Sequence, residues 1–424
     1  MKKLLFDPSE TLLSFKSYQE SDGLKALECV LKMKPEEVIN QIKDSKLVGR
    51  GGAGFPVGIK MASVYNESDY PKYVVCNADE GEPGTFKDRE LLKRNSMKVL
   101  ESMVIAAYAI GASKGYLYVR GEYNYLKDQI LDQLKDMREH HYLGENILNS
   151  GFDFDIEYRS GIGAYICGEE TALIESIEGR SGDPRVKPPY TASKGLWGKP
   201  TLINNVETLI NILPIMNYGA DYYKQFGTEK STGTKLFSVS GAVKQKGVYE
   251  VDFGTTIKEL LELCGGVTGQ LKFIQVGGSS GIVLSREQLE LELSYESFAE
   301  IGAGLGSGAI YVADESVCII DFLIATAAFF RHESCGKCTP CREGNRHIEA
   351  ILNRFKSGKG KVEDIDVLLR TGRVMKEASF CGLGQTATSA LVSSIHVFKE
   401  EFLEHIEGSC KTGVCMLGGV DRES

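Results

Sequence analysis

Apolar residues along the chain switch between short runs and helical periods, and this pattern predicts an α/β fold with a parallel sheet. Short β-branched or alternating runs predict strands at 72–76, 115–120 and 152–159. Apolar residues at helical spacing predict one helix over 96–112 and another over 124–140. Strands that alternate with helices are typical of parallel sheets, whose ligands bind at the loops after the carboxyl ends of the strands.

The pattern changes near residue 217, after which several short strands and a helix over 256–264 predict a smaller α+β unit. From residue 335 onward the apolar residues recur only at helical spacing, which predicts helices alone, the last of them over 386–405. We therefore expect three domains, over residues 1–233, 234–315 and 316–424.

The composition excludes several classes of protein. Hydrophobic residues make up 42% and charged residues 25% of the 424 positions, which is ordinary for a globular chain. A formal net charge of −9 argues against a basic nucleic-acid-binding face. The longest apolar stretch, 316–330, contains Asp321 and is shorter than the roughly 20 residues of a membrane span. Asp7 and Pro8 come before any apolar core at the start, so we expect a cytoplasmic protein without a signal peptide.

The cysteines carry the strongest chemical signal. There are 11 of them, and an odd number in a reducing compartment argues against a disulfide framework. Cys335, Cys338 and Cys341 form the motif CGKCTPC, whose three thiols can converge on one cluster when they lie in a loop. A [4Fe–4S] cluster is the favoured interpretation. Zinc, which more often uses two separated CxxC pairs, and purely structural thiols are the alternatives.

Spacing alone leaves the fourth ligand of such a cluster open. Cys381 lies in the sequence SFCGLG, where small neighbours permit a close approach of the backbone. Cys410 and Cys415 compete with it.

A glycine-rich loop, GRGGAGFP at 49–56, is a candidate phosphate site. It matches GxGxxG but follows a predicted helix rather than a strand, so it fails the context of a dinucleotide fingerprint. Its amides could cradle a phosphate, with Lys60 nearby as a point charge. A structural glycine turn is the alternative interpretation.

Polar side chains near predicted strand ends and helix starts have two interpretations each. Asp79, Glu80 and Glu82 in NADEGEPG either accept hydroxyl and ring N–H groups of a cofactor or form a solvated turn. Glu169 and Glu170 either contact a cofactor or favour the helix start, where acids are stabilised. The same choice applies to the two asparagines of TLINNVETL, and the aromatic ring of PPY is either a stacking wall or core.

Together these motifs resemble the NADH-binding flavoprotein subunit of respiratory NADH:quinone oxidoreductase, complex I. The resemblance covers residues 24–410 and rests on motifs in one order: GRGGAGFP with Lys60, NADEGEPG, GAYICGEETAL, GLWGKPT, INNVETL and CGKCTPCREG. Close relatives of that subunit serve as diaphorase subunits of NAD-linked formate dehydrogenases and bidirectional hydrogenases, which is the alternative function. A non-catalytic iron–sulfur scaffold is the rival from another class.

The resemblance implies a Rossmann-like FMN domain, a ubiquitin-like β-grasp domain of the SLBB type, and a helical bundle that carries a [4Fe–4S] cluster. It implies an NADH dehydrogenase that accepts hydride from NADH onto FMN and passes single electrons to the cluster and on to partner subunits. The expected partners are a [2Fe–2S] thioredoxin-like subunit and a larger iron–sulfur subunit, in the peripheral arm of a membrane-attached complex. Neither nucleic acid binding nor membrane insertion of this chain is expected.

The resemblance also implies the site residues, and none is expected to act as a general acid or base. FMN is expected to contact Gly49, Gly51, Gly52, Lys60, Asn77, Asp79, Glu80, Tyr165, Gly168, Glu169, Asn204, Asn205 and Thr208. NADH is expected to contact Phe55, Glu82, Glu170, Lys187 and Tyr190. The expected cluster ligands are Cys335, Cys338, Cys341 and Cys381.

One departure from the family pattern follows Lys60. Many relatives carry aromatic residues just after this lysine, whereas this chain has Met61-Ala62-Ser63. We therefore expect part of the adenine-stacking wall to be missing, so that Phe55 and Tyr190 carry more of it. Of the two acids expected near NADH, Glu170 is anchored at a helix start and Glu82, between glycines, is expected to be more mobile.

Overall fold

The computed structural model describes residues 4–415, and its first part is built around a four-stranded sheet. The elements of this part, in chain order, are α1 (Phe15–Glu20), α2 (Lys25–Val30), α3 (Pro35–Asp44), α4 (Val57–Tyr65), β1 (Tyr73–Ala78), α5 (Lys87–Ile110), β2 (Lys114–Val119), α6 (Lys127–Glu139), β3 (Asp155–Ser160), α7 (Glu170–Ile177), α8 (Thr191–Lys194), β4 (Thr201–Asn205), α9 (Val206–Ile210), α10 (Ile212–Tyr218) and α11 (Ala220–Tyr223). Short 3₁₀ helices lie at Gly121–Leu126, Ile147–Asn149, Tyr165–Gly168 and Leu196–Gly198. Neighbouring strands all pair in parallel, in the order β3-β2-β1-β4, which confirms the predicted parallel sheet.

Both faces of this sheet are buried, as is typical of parallel sheets. Successive side chains of a strand point to opposite faces, so neighbouring residues of β1 pack into different cores. In β1, Val74 and Cys76 belong to a hydrophobic core that includes much of α5. Val75, which lies between them, belongs to a second core that also contains apolar residues of α7 and of the C-terminal helices. The parallel sheet therefore shares one of its two cores with the last part of the chain.

Helix α5 starts at Lys87, but its backbone leaves the helical region at Asn95, so the predicted helix from residue 96 matches the segment after this break and misses the turns before it. The carboxylate of Glu80 accepts hydrogen bonds from the N–H groups of Asp88, at 2.8 Å, and Arg89, at 3.0 Å. These bonds satisfy amides of the first turn, which have no partner inside the helix. The first turns are rich in charged residues, so the apolar pattern did not reveal them.

The second part contains a five-stranded mixed sheet. Its elements are β5 (Thr234–Gly241), β6 (Gly247–Asp252), α12 (Ile257–Leu263), β7 (Leu271–Val276), β8 (Ile282–Ser285), a 3₁₀ helix (Arg286–Gln288), α13 (Tyr295–Glu300) and β9 (Ala309–Asp314). The strand order is β6-β5-β9-β7-β8, in which β5 and β9 are parallel and the other pairs are antiparallel. The predicted helix over 256–264 is α12, which begins with a capping box between Thr256 and Glu259.

The last part of the described chain is helical, as predicted. Its elements are α14 (Ile319–Glu333), α15 (Thr339–Lys356), α16 (Val362–Ala378), α17 (Gly382–Thr386), α18 (Ser389–Val397) and α19 (Lys399–Ile406). A single helix over 386–405 was the wrong prediction, because Phe398 leaves the helical backbone region and packs its ring 5.9 Å from that of Phe273 in β7. Within residues 4–415, no helix has the length and apolar character of a membrane span.

The strand order creates a reversal point between β1 and β4. From β1 the chain crosses through α5 to β2 and β3 on one side, and it later returns to β4 on the other side. Asn77 of β1 lies opposite Asn205 of β4 in the parallel register. Open α/β sheets bind their ligands at such a reversal point, outside the carboxyl ends of the strands.

Candidate cofactor sites

The glycine-rich loop lies between α3 and α4 and packs against the end of β4. The N–H of Gly49 donates to the carbonyl of Phe55 at 2.8 Å, and the N–H of Arg50 donates to Oγ1 of Thr208 at 2.8 Å. A Cβ at Gly51 would lie 3.0 Å from the Cβ of Asn205, closer than ordinary side-chain contacts. The loop therefore approaches the β4 asparagines more closely than a larger residue would allow.

The loop after β1 is joined to the 3₁₀ helix Tyr165–Gly168. The side-chain N–H of Asn77 donates to the carbonyl of Gly168 at 2.9 Å, and its Oδ1 accepts from the N–H of Asp79 at 3.1 Å. A Cβ at Gly168 would lie 3.3 Å from the carbonyl oxygen of Asp79. Two motifs that are distant in sequence thus meet at the carboxyl end of β1.

Two buried polar atoms face this region without a hydrogen-bond partner among the described residues: Oδ2 of Asp79 and Nδ2 of Asn204. Buried polar groups are nearly always hydrogen-bonded, so such atoms call for a ligand or water. Burial raises the pKa of Asp79 to about 7, against the opposing influence of Arg120. The sheet edge therefore offers one free acceptor, in the loop directly after β1, and one free donor, on the neighbouring strand β4.

Glu80, by contrast, has its carboxylate fully engaged at the start of α5. Besides the amides of Asp88 and Arg89, it accepts from the hydroxyl of Tyr123 at 3.0 Å. Burial, followed by the charge of Asp88, raises its pKa. Among the side chains expected around FMN, that of Glu80 positions the loop rather than offering a free polar group.

A buried ion network that no sequence motif revealed lies beneath β4. The ammonium of Lys87 is 2.8 Å from carboxylate oxygens of both Asp88 and Glu207, and Asn205 donates to Asp88 at 2.6 Å. Burial alone would lower the pKa of Lys87, but Asp88 and Glu207 outweigh it and raise the pKa. The network fixes the position of the Asn205 side chain.

A second buried lysine places positive charge under the glycine-rich loop. The ammonium of Lys235 lies 3.6 Å from Glu207 and donates to the carbonyl of Arg50 at 3.2 Å. Burial lowers the pKa of Lys235 to about 8. Its signal in the sequence was a lysine directly before the apolar pair Leu236-Phe237, at the start of the second part of the chain.

The two glutamates at the start of α7 share Lys187, whose ammonium lies 2.8 Å from each carboxylate, but they differ in their other partners. Glu169 is the N-cap, since its carboxylate accepts from the N–H groups of Thr171 and Ala172. Glu170 is 3.1 Å from the ammonium of Lys60 and 2.8 Å from that of Lys187. Burial alone would raise the pKa of Glu170, but the two lysines hold it below its usual value. Capping therefore explains Glu169 but not Glu170.

Glu82 is held in place, contrary to the expectation that it is mobile. Its carboxylate accepts from the hydroxyl of Tyr165 at 2.6 Å, and from the N–H and hydroxyl of Ser280 at 3.0 and 2.8 Å. A Cβ at Gly278 would collide with the Glu82 side chain. Glu82 thus joins the loop after β1 to the β7–β8 turn of the second sheet.

Exposed aromatic rings lie on three segments of the first part. The exposed fractions are 53% for Phe55 and 61% for Tyr190, as expected for rings that could stack on a ligand, and 47% for Trp197. Met61, however, is fully buried in the core, so an aromatic residue there would not reach a solvent-facing wall. The gap expected after Lys60 stays a prediction, and of the three residues there only Ser63 is exposed.

The four predicted cluster cysteines line one small cavity. Its lining includes Cys335 and Cys338, which directly precede α15, Cys341 in the first turn of that helix, and Cys381 at the start of α17. Burial raises the pKa of the Cys341 thiol, and the other three thiols raise it further. A Cβ at Gly384 would lie 2.9 Å from the Cβ of Cys341, so this glycine allows α17 to approach the α15 thiols.

The 3₁₀ helix Tyr165–Gly168 touches both candidate sites. Gly168 contacts the loop after β1, whereas Ile166 lines the cavity of the four cysteines. The N–H of Tyr165 donates to Glu333, at the end of α14, at 2.8 Å. The sheet-edge site and the cysteine site are therefore separated by one turn of 3₁₀ helix.

Three family models match the chain. One, described as the Nuo51 FMN-binding domain, matches residues 42–214, and the NADH-ubiquinone oxidoreductase-F iron-sulfur binding region matches 321–405. An SLBB domain matches 236–283.

Curated relatives match nearly the whole chain. The F subunit of the NADH-quinone oxidoreductase of Mycobacterium tuberculosis is 44% identical over 409 residues, which cover 95% of this chain and 92% of the relative. This chain belongs to the family of NADH-quinone oxidoreductase F subunits. Within the same range of similarity, the HndC subunit of the NADP-reducing hydrogenase of Solidesulfovibrio fructosivorans is 42% identical, over 95% of this chain and 83% of its own length.

A solved structure shares the fold of the chain. The crystal structure of an NAD⁺-reducing [NiFe]-hydrogenase in the H₂-reduced state superposes with a TM-score of 0.84 at 36% identity, covering 93% of this chain and 67% of that chain. The chain is thus also similar to components of hydrogenases.

The described residues fit the two groups that the family requires. As a member of the family of F subunits, the chain is an oxidoreductase flavoprotein with FMN, a [4Fe–4S] cluster and NADH as substrate. The unpartnered atoms of Asp79 and Asn204 and the close approach at Gly51 suit a polar, planar cofactor at the sheet edge. Four thiols around one cavity suit a cubane cluster.

Proposed function

We propose that the chain takes electrons from NADH at the edge of the parallel sheet and delivers them singly to the four-cysteine site. The observation that carries this proposal is the 3₁₀ helix Tyr165–Gly168, which contacts the FMN side at Gly168 and the cluster side at Ile166. FMN, when bound, supplies the exchange between a two-electron donor and a one-electron acceptor. The protein supplies orientation and charge.

The flavin is held by residues of four segments that meet at the reversal point of the sheet. The proposed contacts are Gly49, Gly51, Gly52, Lys60, Asn77, Asp79, Tyr165, Gly168, Glu169, Asn204, Asn205 and Thr208, with Glu80 acting through the position of its loop. Asp79 accepts, and Asn204 donates, through the atoms that lack a protein partner. Lys87 and Lys235 both pair with Glu207, and Lys235 also donates to the carbonyl of Arg50, so the two lysines hold the glycine-rich loop and the end of β4 in position.

The dinucleotide lies over Phe55 and Tyr190, whose exposed rings offer stacking surfaces. Glu170 and Lys187 form the charged border of this region. Glu82 holds the ring of Tyr165 in position by accepting a hydrogen bond from its hydroxyl. Because Glu82 is shared with Ser280, its role is to position the tyrosine rather than to contact the dinucleotide directly.

The cluster is bound by Cys335, Cys338, Cys341 and Cys381. Amides at the start of α17 support this assignment, since burial raises the pKa of the Cys381 thiol and the backbone N–H groups of Gly384 and Leu383 oppose that rise. Such donors stabilise anionic sulfur.

Three domains correspond to these roles. We assign residues 1–233 to a Rossmann-like FMN domain, 234–315 to a β-grasp domain of the SLBB type, and 316–424 to the cluster-bearing bundle. The parallel pairing of β5 with β9 at the centre of a mixed sheet, with α12 against it, supports the β-grasp assignment.

The chain works as one component of a larger assembly. We propose a [2Fe–2S] thioredoxin-like subunit and a larger iron–sulfur subunit as partners, in the cytoplasmic peripheral arm of a complex I. The similarity to hydrogenase subunits supports a second candidate, the diaphorase of a hydrogenase.

Affinity purification of the tagged chain from its native cells distinguishes the two assemblies. Co-purified membrane quinone-reducing subunits support complex I, and a co-purified nickel–iron or iron-only hydrogenase subunit supports the second candidate. Isolation of the chain alone, with full NADH oxidation and no partner, would count against both.

A further inference from the structure

A second group of side chains of the types that bind metal ions lies in the C-terminal helical part. None of its members is among the residues proposed to contact FMN or the iron–sulfur cluster. Cys318, His405, Cys410 and Cys415 each offer one ligand atom, and these atoms all lie within 4.8 Å of one another. The Cys318 sulfur is 3.4 Å from Nε2 of His405 and 3.5 Å from the sulfur of Cys415. Cys318 and Cys415 are buried.

We propose that these four residues bind one structural zinc ion as a Cys₃His site. In a tetrahedral site with Zn–S near 2.3 Å and Zn–N near 2.0 Å, neighbouring ligand atoms lie about 3.5–3.8 Å apart. The two contacts of the Cys318 sulfur, at 3.4 and 3.5 Å, match that spacing without a large movement. A disulfide does not account for them, because its sulfurs lie about 2.05 Å apart.

The histidine is already oriented as a ligand. Its Nδ1 lies 2.6 Å from the backbone carbonyl of Glu401, one turn earlier in α19. A proton on Nδ1 donates to that carbonyl and leaves the lone pair of Nε2 directed at Cys318. Metal-binding histidines are commonly fixed by such a hydrogen bond from the second ring nitrogen.

The donor set favours zinc over a second iron–sulfur cluster. A cubane needs four ligand atoms on four separate iron atoms, whereas a single ion brings its ligand atoms within mutual contact. Three thiolates and one imidazole form a closed tetrahedral set typical of structural zinc, which has no redox chemistry. The proposed ion therefore takes no part in electron transfer.

The site is distinct from the four-cysteine cavity, although α14 connects them. Cys318 is the N-cap of α14, whose 15 residues span about 22 Å, and Cys335 follows the other end of that helix. His405 lies at the end of α19, and Cys410 and Cys415 follow it. Zinc here would fasten the segment after α19 to the start of the helix that leads into the cluster motif.

Metal analysis of the complete chain, purified without oxygen and with its flavin and iron retained, tests this inference. We expect about one zinc per chain besides the iron, with zinc lost in Cys410→Ser while iron stays within about 10% of the unchanged protein. Cys381→Ser should show the reverse pattern, loss of iron with zinc retained. Cys29→Ser, which removes an exposed cysteine outside both groups, is the matched control and should retain both metals.

X-ray absorption at the zinc edge of the unchanged protein gives a result that does not depend on the folding of a variant. The proposed site predicts three sulfur neighbours near 2.3 Å and one nitrogen near 2.0 Å. Absence of zinc, zinc that survives Cys410→Ser, a first shell of oxygen and nitrogen alone, or loss of iron in Cys410→Ser would each overturn the proposal.

Discussion

The carboxylate of Glu170 lies 3.1 Å from the ammonium of Lys60, which links the start of α7 to α4 across the mouth of the sheet-edge site. Lys187 approaches the same carboxylate at 2.8 Å from the other side. Glu170 therefore pairs with two cations next to the region proposed for the dinucleotide, and it shares one of them, Lys187, with Glu169, which caps the helix.

Glu170→Gln should weaken the preference for NADH over NADPH. NADPH carries an additional phosphate of nearly two negative charges, which a carboxylate repels and which the released Lys60 ammonium attracts, while Lys187 stays paired with Glu169. We expect kcat/KM for NADPH to rise about ten-fold or more, ~1.4 kcal/mol, with flavin content unchanged. Steady-state kinetics with both donors measure the ratio.

Glu175→Gln is the matched control for this substitution. Glu175 lies on the same helix and also pairs with two cations, Arg180 and Arg185. The control should leave the NADPH to NADH ratio unchanged. Equal effects of the two variants, or loss of stability in Glu170→Gln with no change in the ratio, would show that Glu170 is only structural.

FMN binding to the flavin-free chain should weaken as the pH falls below about 7. The raised pKa of Asp79, about 7, means that its folded-state carboxyl is protonated at lower pH, where it cannot act as a free acceptor. If the flavin requires the ionised carboxylate, the apparent Kd rises about ten-fold for each pH unit below that value. Fluorescence quenching of FMN from pH 5 to 8 measures this dependence.

Asp79→Asn separates this effect from titration of the ligand. The FMN phosphate has a second pKa near 6, and its titration remains in the variant. The variant should bind more weakly at pH 8 and show a shallower pH profile. Identical profiles for the two proteins would show that Asp79 has no part in flavin binding.

Removal of the proposed fourth thiol should destroy or convert the cubane. Cys381→Ala leaves three ligands, so the [4Fe–4S] signal of the reduced protein in EPR should disappear or change to that of a smaller cluster. Cys410→Ala should leave the signal intact, because Cys410 belongs to the other metal-binding group. The reverse result would reassign the ligand.

Gly51→Ala should reduce flavin content without unfolding the protein. The added methyl group would meet the Cβ of Asn205 at 3.0 Å and push the loop away from β4. Gly304→Ala is the control, since a Cβ there meets nothing within 4 Å. A flavin-to-protein absorbance ratio that falls only in Gly51→Ala supports the close approach, whereas equal ratios contradict it.

Most of the fold could be predicted because short apolar runs mark the buried strands and apolar residues at helical spacing mark the helices that cover them. It did not predict β4, since the five residues Thr201–Asn205 end in two asparagines that are equally typical of a helix cap. The turns of α5 before the break at Asn95 were also missed, because Glu80 stabilises a polar first turn from outside the helix. The first failure arises from an ambiguous local pattern, and the second from a side chain that caps the helix from the preceding loop.

The motifs of the sequence predicted the candidate site in outline, but not the partners of its side chains. Glu82 was expected to be mobile between two glycines, yet its partner Ser280 lies 198 residues away. The zinc-binding group was hidden for the same reason: His405, Cys410 and Cys415 are close in sequence, but Cys318 comes from another helix. Spacing within one segment cannot reveal a ligand contributed by a second element.

Rapid mixing of the purified, oxygen-free chain with NADH tests the proposed electron path most directly. We expect the absorbance of oxidised flavin to be lost first, and the signal of a reduced [4Fe–4S] cluster then to appear in the same chain. Cys381→Ala should retain the first step and lose the second. A protein that holds both FMN and iron but shows no loss of flavin absorbance with NADH would contradict the proposed function.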